Sequence, residues 1–153
     1  MSVEKRLAEL GIELPEPASA VANYVPYVES NGLVSISGQL PLKDGTPVTG
    51  KVGRDLELEA ARQAARLCAI NLIAQIRAAA GGDLERVTRI VRLGGFVNCI
   101  DGYADQPKVI NGASDLMVEA FADKGRHSRS AVGVNALPLN AAVEVDALVQ
   151  LSS

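Results

Sequence analysis

Arg129 begins a segment of alternating side chains and is the residue of this sequence best suited to hold a ligand. In a strand over 129–134, Arg129, Ala131 and Gly133 share one face, and the valines occupy the other. We expect the valine face to lie against the core, which leaves the guanidinium above small residues with open space before it. The planar fork of a guanidinium matches a carboxylate. The pattern predicts a site for a small carboxylate, and its alternative is a solvated surface arginine.

Glu144 is the second candidate and shares its strand face with Asp146. In a cleft, a carboxylate with a raised pKa can act as a general acid or base, whereas on a wet strand face it is only a polar residue. A turn over 138–141 would place Glu144 opposite Asn135, six residues from Arg129, or about 20 Å at roughly 3.3 Å per residue. The two could then share a ligand only across neighbouring subunits of a closed ring.

The segment Ser37-Gly38-Gln39, at the end of an apolar strand, offers a hydroxyl and backbone N–H groups to an anionic ligand oxygen. An ordinary turn from strand to loop is the alternative. A serine hydrolase triad is not indicated, because the chain has one histidine, His127, and no Gly-x-Ser-x-Gly elbow. We expect His127 to be a loop residue rather than a base.

Two cysteines, Cys68 and Cys99, lie in apolar surroundings without Cys-x-x-Cys spacing, and we expect both in the core. With one histidine in the chain, neither a zinc site nor a disulfide framework is expected. The glycine pairs at 81–82 and 94–95 lack the spacing of a dinucleotide or phosphate loop. We interpret them as backbone devices, the second as a bulge or a close approach of backbones.

Hydrophobic periodicity predicts the elements that would position these residues. Their order is ββ, helix, β, helix, ββ after a short N-terminal helix, which predicts an α+β sheet with both main helices on one face. The last two strands are expected to form a hairpin. The predicted elements are helices over 1–11, 55–80 and 106–124 and strands over 24–29, 33–37, 86–100, 129–137 and 142–150.

Composition bounds the class of protein. A chain of 153 residues with 48% hydrophobic content fits a single domain over 1–153, in which residues 1–19 form a short helix and an extended N-terminal extension. Fifteen basic against eighteen acidic residues and only five aromatic ones disfavour a general nucleic-acid binder. No apolar run approaches the roughly 20 residues that span a bilayer. We therefore expect a cytoplasmic protein without a membrane partner.

Several of these segments recur as landmarks at matching intervals in one known family. They cover most of residues 20–150 and are Asn23-Tyr24-Val25, residues 34–41 (Val-Ser-Ile-Ser-Gly-Gln-Leu-Pro), Val109-Ile110-Asn111 ahead of Val118-Glu119-Ala120-Phe121, residues 128–134, Leu137-Pro138 and Val143-Glu144-Val145-Asp146-Ala147. With them the chain resembles the RidA/YjgF family of reactive-intermediate deaminases, often labelled endoribonuclease L-PSP.

The resemblance implies a chorismate-mutase-like fold, a homotrimer whose strands form a central barrel, and clefts between subunits. It implies hydrolysis of small 2-enamino or 2-imino acids to 2-oxo acids and ammonia, with no cofactor. The partner would be a small carboxylate-bearing metabolite, clamped by Arg129 while Glu144 positions water. Further ligand-binding residues implied by the match are Tyr24, Ser37, Gly38, Ala131 and Asn111.

The chain also departs from the deaminases. Ala131 stands where they usually have a cysteine, and the stretch from Cys99 to Ser114 is longer, which indicates a divergent branch. Two other functions therefore stay open. One is a trimeric sensor that binds a small carboxylate metabolite without turnover. The other is a ribonuclease or translation inhibitor, which the pI near 5.2 and the lack of a histidine pair disfavour.

Overall fold

Five strands form the main sheet of the computed structural model, which describes residues 1–20 and 22–153. In chain order the strands are Tyr27–Ser30 (β1), Leu33–Gln39 (β2), Leu42–Lys43 (β3), Thr46–Pro47 (β4), Val87–Asn98 (β5), Ser128–Val134 (β6) and Val143–Leu151 (β7). Of these, β3 and β4 form a separate two-stranded hairpin, and the other five form the main sheet. The sheet order is β1-β2-β7-β5-β6, and only β5 and β6 run parallel. β6 is therefore an edge strand.

Three helices, Val3–Glu9 (α1), Leu58–Ala79 (α2) and Gln106–Phe121 (α3), agree with the predicted ones to within three residues at each end. The two long helices contact each other and the same side of the sheet, α2 against β7 and α3 against β5. The predicted α+β class with both main helices on one face is confirmed. In the described residues, none of the helices combines the length and apolar composition needed to span a bilayer.

The core lies between this sheet face and the helices. Along β7, the side chains that face the helices are buried, while Glu144, Asp146 and Leu148 between them are half-buried on the opposite, open face. The period of two expected of a strand with one wet side is therefore clear in β7. The buried set is Val143, Val145, Ala147, Val149 and Leu151.

Two expectations about the strand at Arg129 are wrong. β6 and β7 do not form a hairpin, because β5 lies between them. The valine face of β6 is also not the core side, since Val132 is 45% exposed while Ala131 packs against the core. Ala131 pairs with Gly95, and a Cβ added to Gly95 would come within 2.6 Å of Ile110 on α3. The helix lies so near this part of the sheet that small residues, not valines, face it.

The glycine pair in β5 is explained by close approach rather than by a bulge. β5 runs without interruption through Gly94 and Gly95, and its register shifts lie nearer its start, between Val87 and Arg92. A Cβ on Gly94 would collide with the carboxylate of Asp146 on the open face. The lack of side chains at Gly95 and Gly94 therefore allows α3 to pack closely on one side of the sheet and the Asp146 carboxylate to lie close on the other.

Candidate functional site

A cavity of about 90 Å³, here named the Glu144 cavity, lies where β7 begins beside the end of β2. It brings together four of the residues predicted for the site, Tyr24, Ser37, Gly38 and Glu144. The N-terminal extension forms one wall of it, and the buried amide of Gln75 holds that wall by donating a 2.8 Å hydrogen bond to Ala18 O. The other lining residues are Ala18, Ser19, Ala20, Pro26, Gln39, Leu40, Leu42 and Pro138.

A β-bulge at Ser37 and Gly38 positions Glu144. The register between β2 and β7 shifts there, so that two residues of β2 stand opposite the single residue Asp146 of β7. A Cβ on Gly38 would lie 2.8 Å from the carboxyl carbon of Glu144, so the glutamate rests on bare backbone. The Ser37 hydroxyl donates to Val25 O at 2.8 Å and so fixes the neighbouring wall. The segment is therefore neither a simple turn nor a regular strand end.

Glu144 has the electrostatic character expected of a proton-transferring group. Burial, and to a smaller extent the nearby carboxylate of Asp146, raises its pKa above the usual value of 4.5. No basic side chain lies among the cavity-lining residues, and within the described residues no cation forms an ion pair with Glu144. An unpaired, half-buried carboxylate beside a cavity can orient a water molecule and exchange protons with it.

Arg129 lies on the helix side of β6, along α3. Its Nη1 donates to Ser114 Oγ at 3.0 Å and its Nη2 to Pro107 O at 3.1 Å. Positions 107, 111 and 114 follow each other at helical spacing on one face of α3, so Asn111 lies on the face that the guanidinium follows. The structure therefore places Asn111 and, two residues along the edge strand, Ala131 on the same side of the sheet as Arg129. We call this group the Arg129 edge.

His127 lies outside the regular elements, as expected, but its ring belongs to the Arg129 edge. Nε2 is 2.8 Å from Ser114 Oγ and Nδ1 is 2.6 Å from Gly125 O. Burial lowers the pKa of His127; the hydrogen bond to Gly125 O raises it by less, and the charges of Arg129 and Arg89 lower it further. The sequence held one usable signal, since positions 127 and 129 point to the same side of an extended chain. It held none for Ser114, a helix residue thirteen positions away.

The Glu144 cavity and the Arg129 edge do not meet within one chain. Arg129 is in register with Leu93 and through it with Ala147, three residues beyond Glu144 and two strands away. With strands about 4.8 Å apart and about 3.3 Å per residue, the two Cα atoms lie about 14 Å apart. This replaces the estimate from the assumed hairpin, and the side chains moreover point to opposite faces of the sheet.

Both cysteines lie in the hydrophobic core, as predicted. Burial raises the pKa of the Cys68 thiol well above its usual range, which keeps it protonated. Among residues 1–20 and 22–153, no group of three or more His, Cys, Asp or Glu side chains is placed to hold a metal ion.

Known proteins resemble this chain in sequence and in fold. The family model described as "YjgF/chorismate mutase-like, putative endoribonuclease" matches residues 4–151. Protein TCP17 of Trypanosoma cruzi is 48% identical over 99% of this chain and 95% of its own length. The crystal structure of Atu1372 from Agrobacterium tumefaciens, of unknown function, is 47% identical over 98% of this chain and 92% of that one, with a TM-score of 0.93. E. coli TdcF, solved with bound serine, shares only the fold, at 23% identity, 92% and 97% coverage and a TM-score of 0.65.

Proposed function

The chain belongs to the YjgF/chorismate mutase-like family, and on that premise we propose that it hydrolyses small 2-enamino or 2-imino acids to 2-oxo acids and ammonia. The reaction takes place in clefts between the subunits of a homotrimer. Arg129 binds the substrate carboxylate, and Glu144 of a neighbouring subunit positions the water. The observation that carries the proposal is the division of the site into the Glu144 cavity and the Arg129 edge, on opposite sheet faces of one chain.

Each of these two parts lacks what the other supplies. The Glu144 cavity has a carboxylate for proton transfer but no basic side chain in its lining to hold an anionic substrate. Arg129 has donors for a carboxylate but pairs with no acid in the described part of the chain. It also lies on an edge strand, where a second subunit can approach. A closed ring of identical chains joins one part to the other at every interface.

The chemistry fits these groups. A 2-imino acid is already electrophilic once its nitrogen is protonated, so the protein needs mainly to hold the carboxylate and the water in place. Glu144 accepts a proton from the water as the water oxygen bonds to the imine carbon. Glu144 returns this proton to the nitrogen and takes the proton of the new hydroxyl as the carbon–nitrogen bond breaks and the C=O group forms. The 2-oxo acid leaves, and the ammonia takes the last proton from Glu144 and leaves as ammonium. TdcF, solved with bound serine, gives an example of an amino acid held on this fold.

The proposal is tested by generating the imino acid in situ with an amino-acid oxidase and measuring ammonia and 2-oxo acid release. We expect Arg129→Ala to slow release at least about a hundredfold, since it removes a charge-assisted bidentate contact. Ser128→Ala is the matched control, because Ser128 is adjacent in β6 and its hydroxyl donates to Val91 O at 3.2 Å, away from Arg129. Equal rates for wild type and Arg129→Ala would overturn the proposal.

Two further measurements separate the other functions from this one. Calorimetric binding of pyruvate that Arg129→Lys weakens, without any ammonia release, would identify a carboxylate sensor rather than an enzyme. Cleavage of RNA by protein freed of contaminating nucleases would be required for the activity in the family's description. The net charge of −3 does not favour RNA binding, and the single histidine cannot supply the pair of histidines that a ribonuclease would use as acid and base.

A further inference from the structure

The Arg129 edge contains a chain of hydrogen bonds that the proposed reaction does not use. It runs from the Arg129 guanidinium through the Ser114 hydroxyl and the His127 ring to the carbonyl of Gly125. We propose that Ser114 and His127 are positioning residues that hold Arg129 in the orientation in which it binds the substrate carboxylate. This inference rests on the proposed function of Arg129.

The chemical types of the four groups fix where each hydrogen lies. The Gly125 carbonyl can only accept, so His127 Nδ1 carries a hydrogen and donates across 2.6 Å. The Arg129 guanidinium can only donate, so Ser114 Oγ accepts from Nη1 across 3.0 Å. The serine hydrogen is then free to point at His127 Nε2, 2.8 Å away. Three donors in a row point in the same direction, an arrangement in which each bond polarises the next.

The chain of bonds holds the guanidinium without consuming its capacity to bind. A guanidinium has five N–H donors. One from Nη1 goes to Ser114 and one from Nη2 to Pro107 O, at 3.0 and 3.1 Å. Three remain, and a carboxylate needs two of them for a bidentate contact. An arginine fixed in this way loses less side-chain entropy when the ligand arrives than one that is free in solvent.

The state of His127 supports this role. Burial, the largest cause, and the charges of Arg129 and Arg89 lower the pKa of His127, and they outweigh the hydrogen bond to Gly125 O, which raises it, so the neutral ring is favoured. In the neutral ring with Nδ1 protonated, Nε2 is an acceptor for Ser114. A protonated ring would instead donate to Ser114 Oγ and turn its hydroxyl away. It would also place a second cation beside Arg129.

The test compares steady-state kinetics on one imino acid for wild type, Ser114→Ala, Ser114→Thr and His127→Phe. We expect Ser114→Ala and His127→Phe to raise KM about five- to tenfold with kcat within about twofold, the cost of reordering one long side chain. Ser114→Thr keeps the hydroxyl and is expected to restore KM. Ser128→Ala is expected to match wild type.

A double-mutant cycle shows whether the effect acts through the arginine. In an Arg129→Lys background, Ser114→Ala should change KM by less than about twofold, because the hydrogen bond from the Arg129 guanidinium to the Ser114 hydroxyl is already absent. A KM for both Ser114→Ala and His127→Phe equal to that of wild type, while Arg129→Ala loses activity, would overturn this inference alone. Full activity in Arg129→Ala would overturn the proposed function and this inference together. A rise in KM on Ser114→Ala that is equally large in the Arg129→Lys background would also contradict the positioning role of Ser114.

Discussion

The Glu144 cavity and the Arg129 edge hold their charged groups in contrasting ways. Glu144 rests on the bare backbone of Gly38 with no ion-pair partner among the described residues, and its pKa is raised. Arg129 is bonded twice to α3 and supported by Ser114 and His127. The carboxylate is left free to exchange protons, whereas the guanidinium is oriented in advance. Under the proposed function, the Glu144 cavity carries out the proton transfer and the Arg129 edge binds the substrate carboxylate.

The largest expected effect tests whether the two surfaces meet between subunits. Arg129→Ala and Glu144→Gln should each lose at least about a hundredfold in activity. When the two inactive variants are co-assembled in equal amounts, a cleft is intact where an unmutated arginine meets an unmutated glutamate. Random assembly makes this true of about one quarter of the clefts, so about a quarter of wild-type activity should return. Ammonia release by separately purified and by co-refolded mixtures measures this.

The control for that experiment is each variant refolded alone, which should remain inactive. A mixture as inactive as its components would mean that Arg129 and Glu144 act in the same subunit, or that they do not take part in the same reaction. Either result would remove the central argument for an inter-subunit site.

A smaller effect is expected from breaking only the Glu144 cavity. Gly38→Ala places a Cβ where Glu144 now lies, 2.8 Å from its carboxyl carbon, and must displace it. A shift of about 1 Å in a reacting group can cost about a hundredfold in rate, so kcat should fall by about ten- to a hundredfold. Binding of pyruvate through Arg129 should change little, as measured by calorimetry.

The Glu144→Gln background provides the matched control. Since the reacting carboxylate is absent there, adding Gly38→Ala should slow the residual rate by less than about threefold. An equally large loss in both backgrounds would mean that Gly38 acts on the fold rather than on Glu144.

The helices and the strands were largely predictable because their signals are local. The spacing of Leu58, Ala65 and Leu72 marks one face of α2 whatever lies against it. The fold class follows from the order of such elements. Strand pairing is not local, and no pattern within 129–150 shows that β5 lies between β6 and β7.

The site was predictable in part and for the same reason. The alternation around Arg129 separates two faces, but which face is buried depends on how near α3 comes to Gly95, a property of the packed structure. The contact of Ser114 with His127 joins a helix to a loop and leaves no periodic trace in the sequence. The wall that Ala18 forms depends on its bond to Gln75, 57 positions away.

The wall that the N-terminal extension contributes to the Glu144 cavity can be altered without changing the Arg129 edge. Gln75 is buried, and its amide donates to Ala18 O at 2.8 Å. Gln75→Leu leaves that carbonyl without its donor, a loss of about 1–2 kcal/mol in the free energy of unfolding. The freed wall should also change kcat/KM among imino acids of different size, while pyruvate binding at Arg129 stays the same. An unchanged substrate preference with reduced stability would limit Gln75 to a structural role.

The smallest expected effect is the pH dependence of stability, and it has opposite signs on the two surfaces. The pKa of Glu144 is raised above 4.5, so the folded chain takes up its proton more readily than the unfolded one. Its contribution to stability is therefore full below about pH 4.5 and is lost as the pH rises through the raised folded value. Glu144→Gln mimics the protonated form, so its Tm should match wild type at acidic pH and exceed it at neutral pH by on the order of 2 °C.

His127 has the opposite dependence. Its pKa is lowered below 6.5, so the stability linked to the neutral ring is present above that pH and falls as the pH drops through the lowered folded value. His127→Phe should flatten that slope without affecting the Glu144 window. Thermal denaturation from pH 4 to 8 measures both windows. A Glu144→Gln protein with a lower Tm than wild type at neutral pH would mean that the charged carboxylate has a stabilising partner, and the contrast between an unpaired glutamate and an anchored arginine would fail.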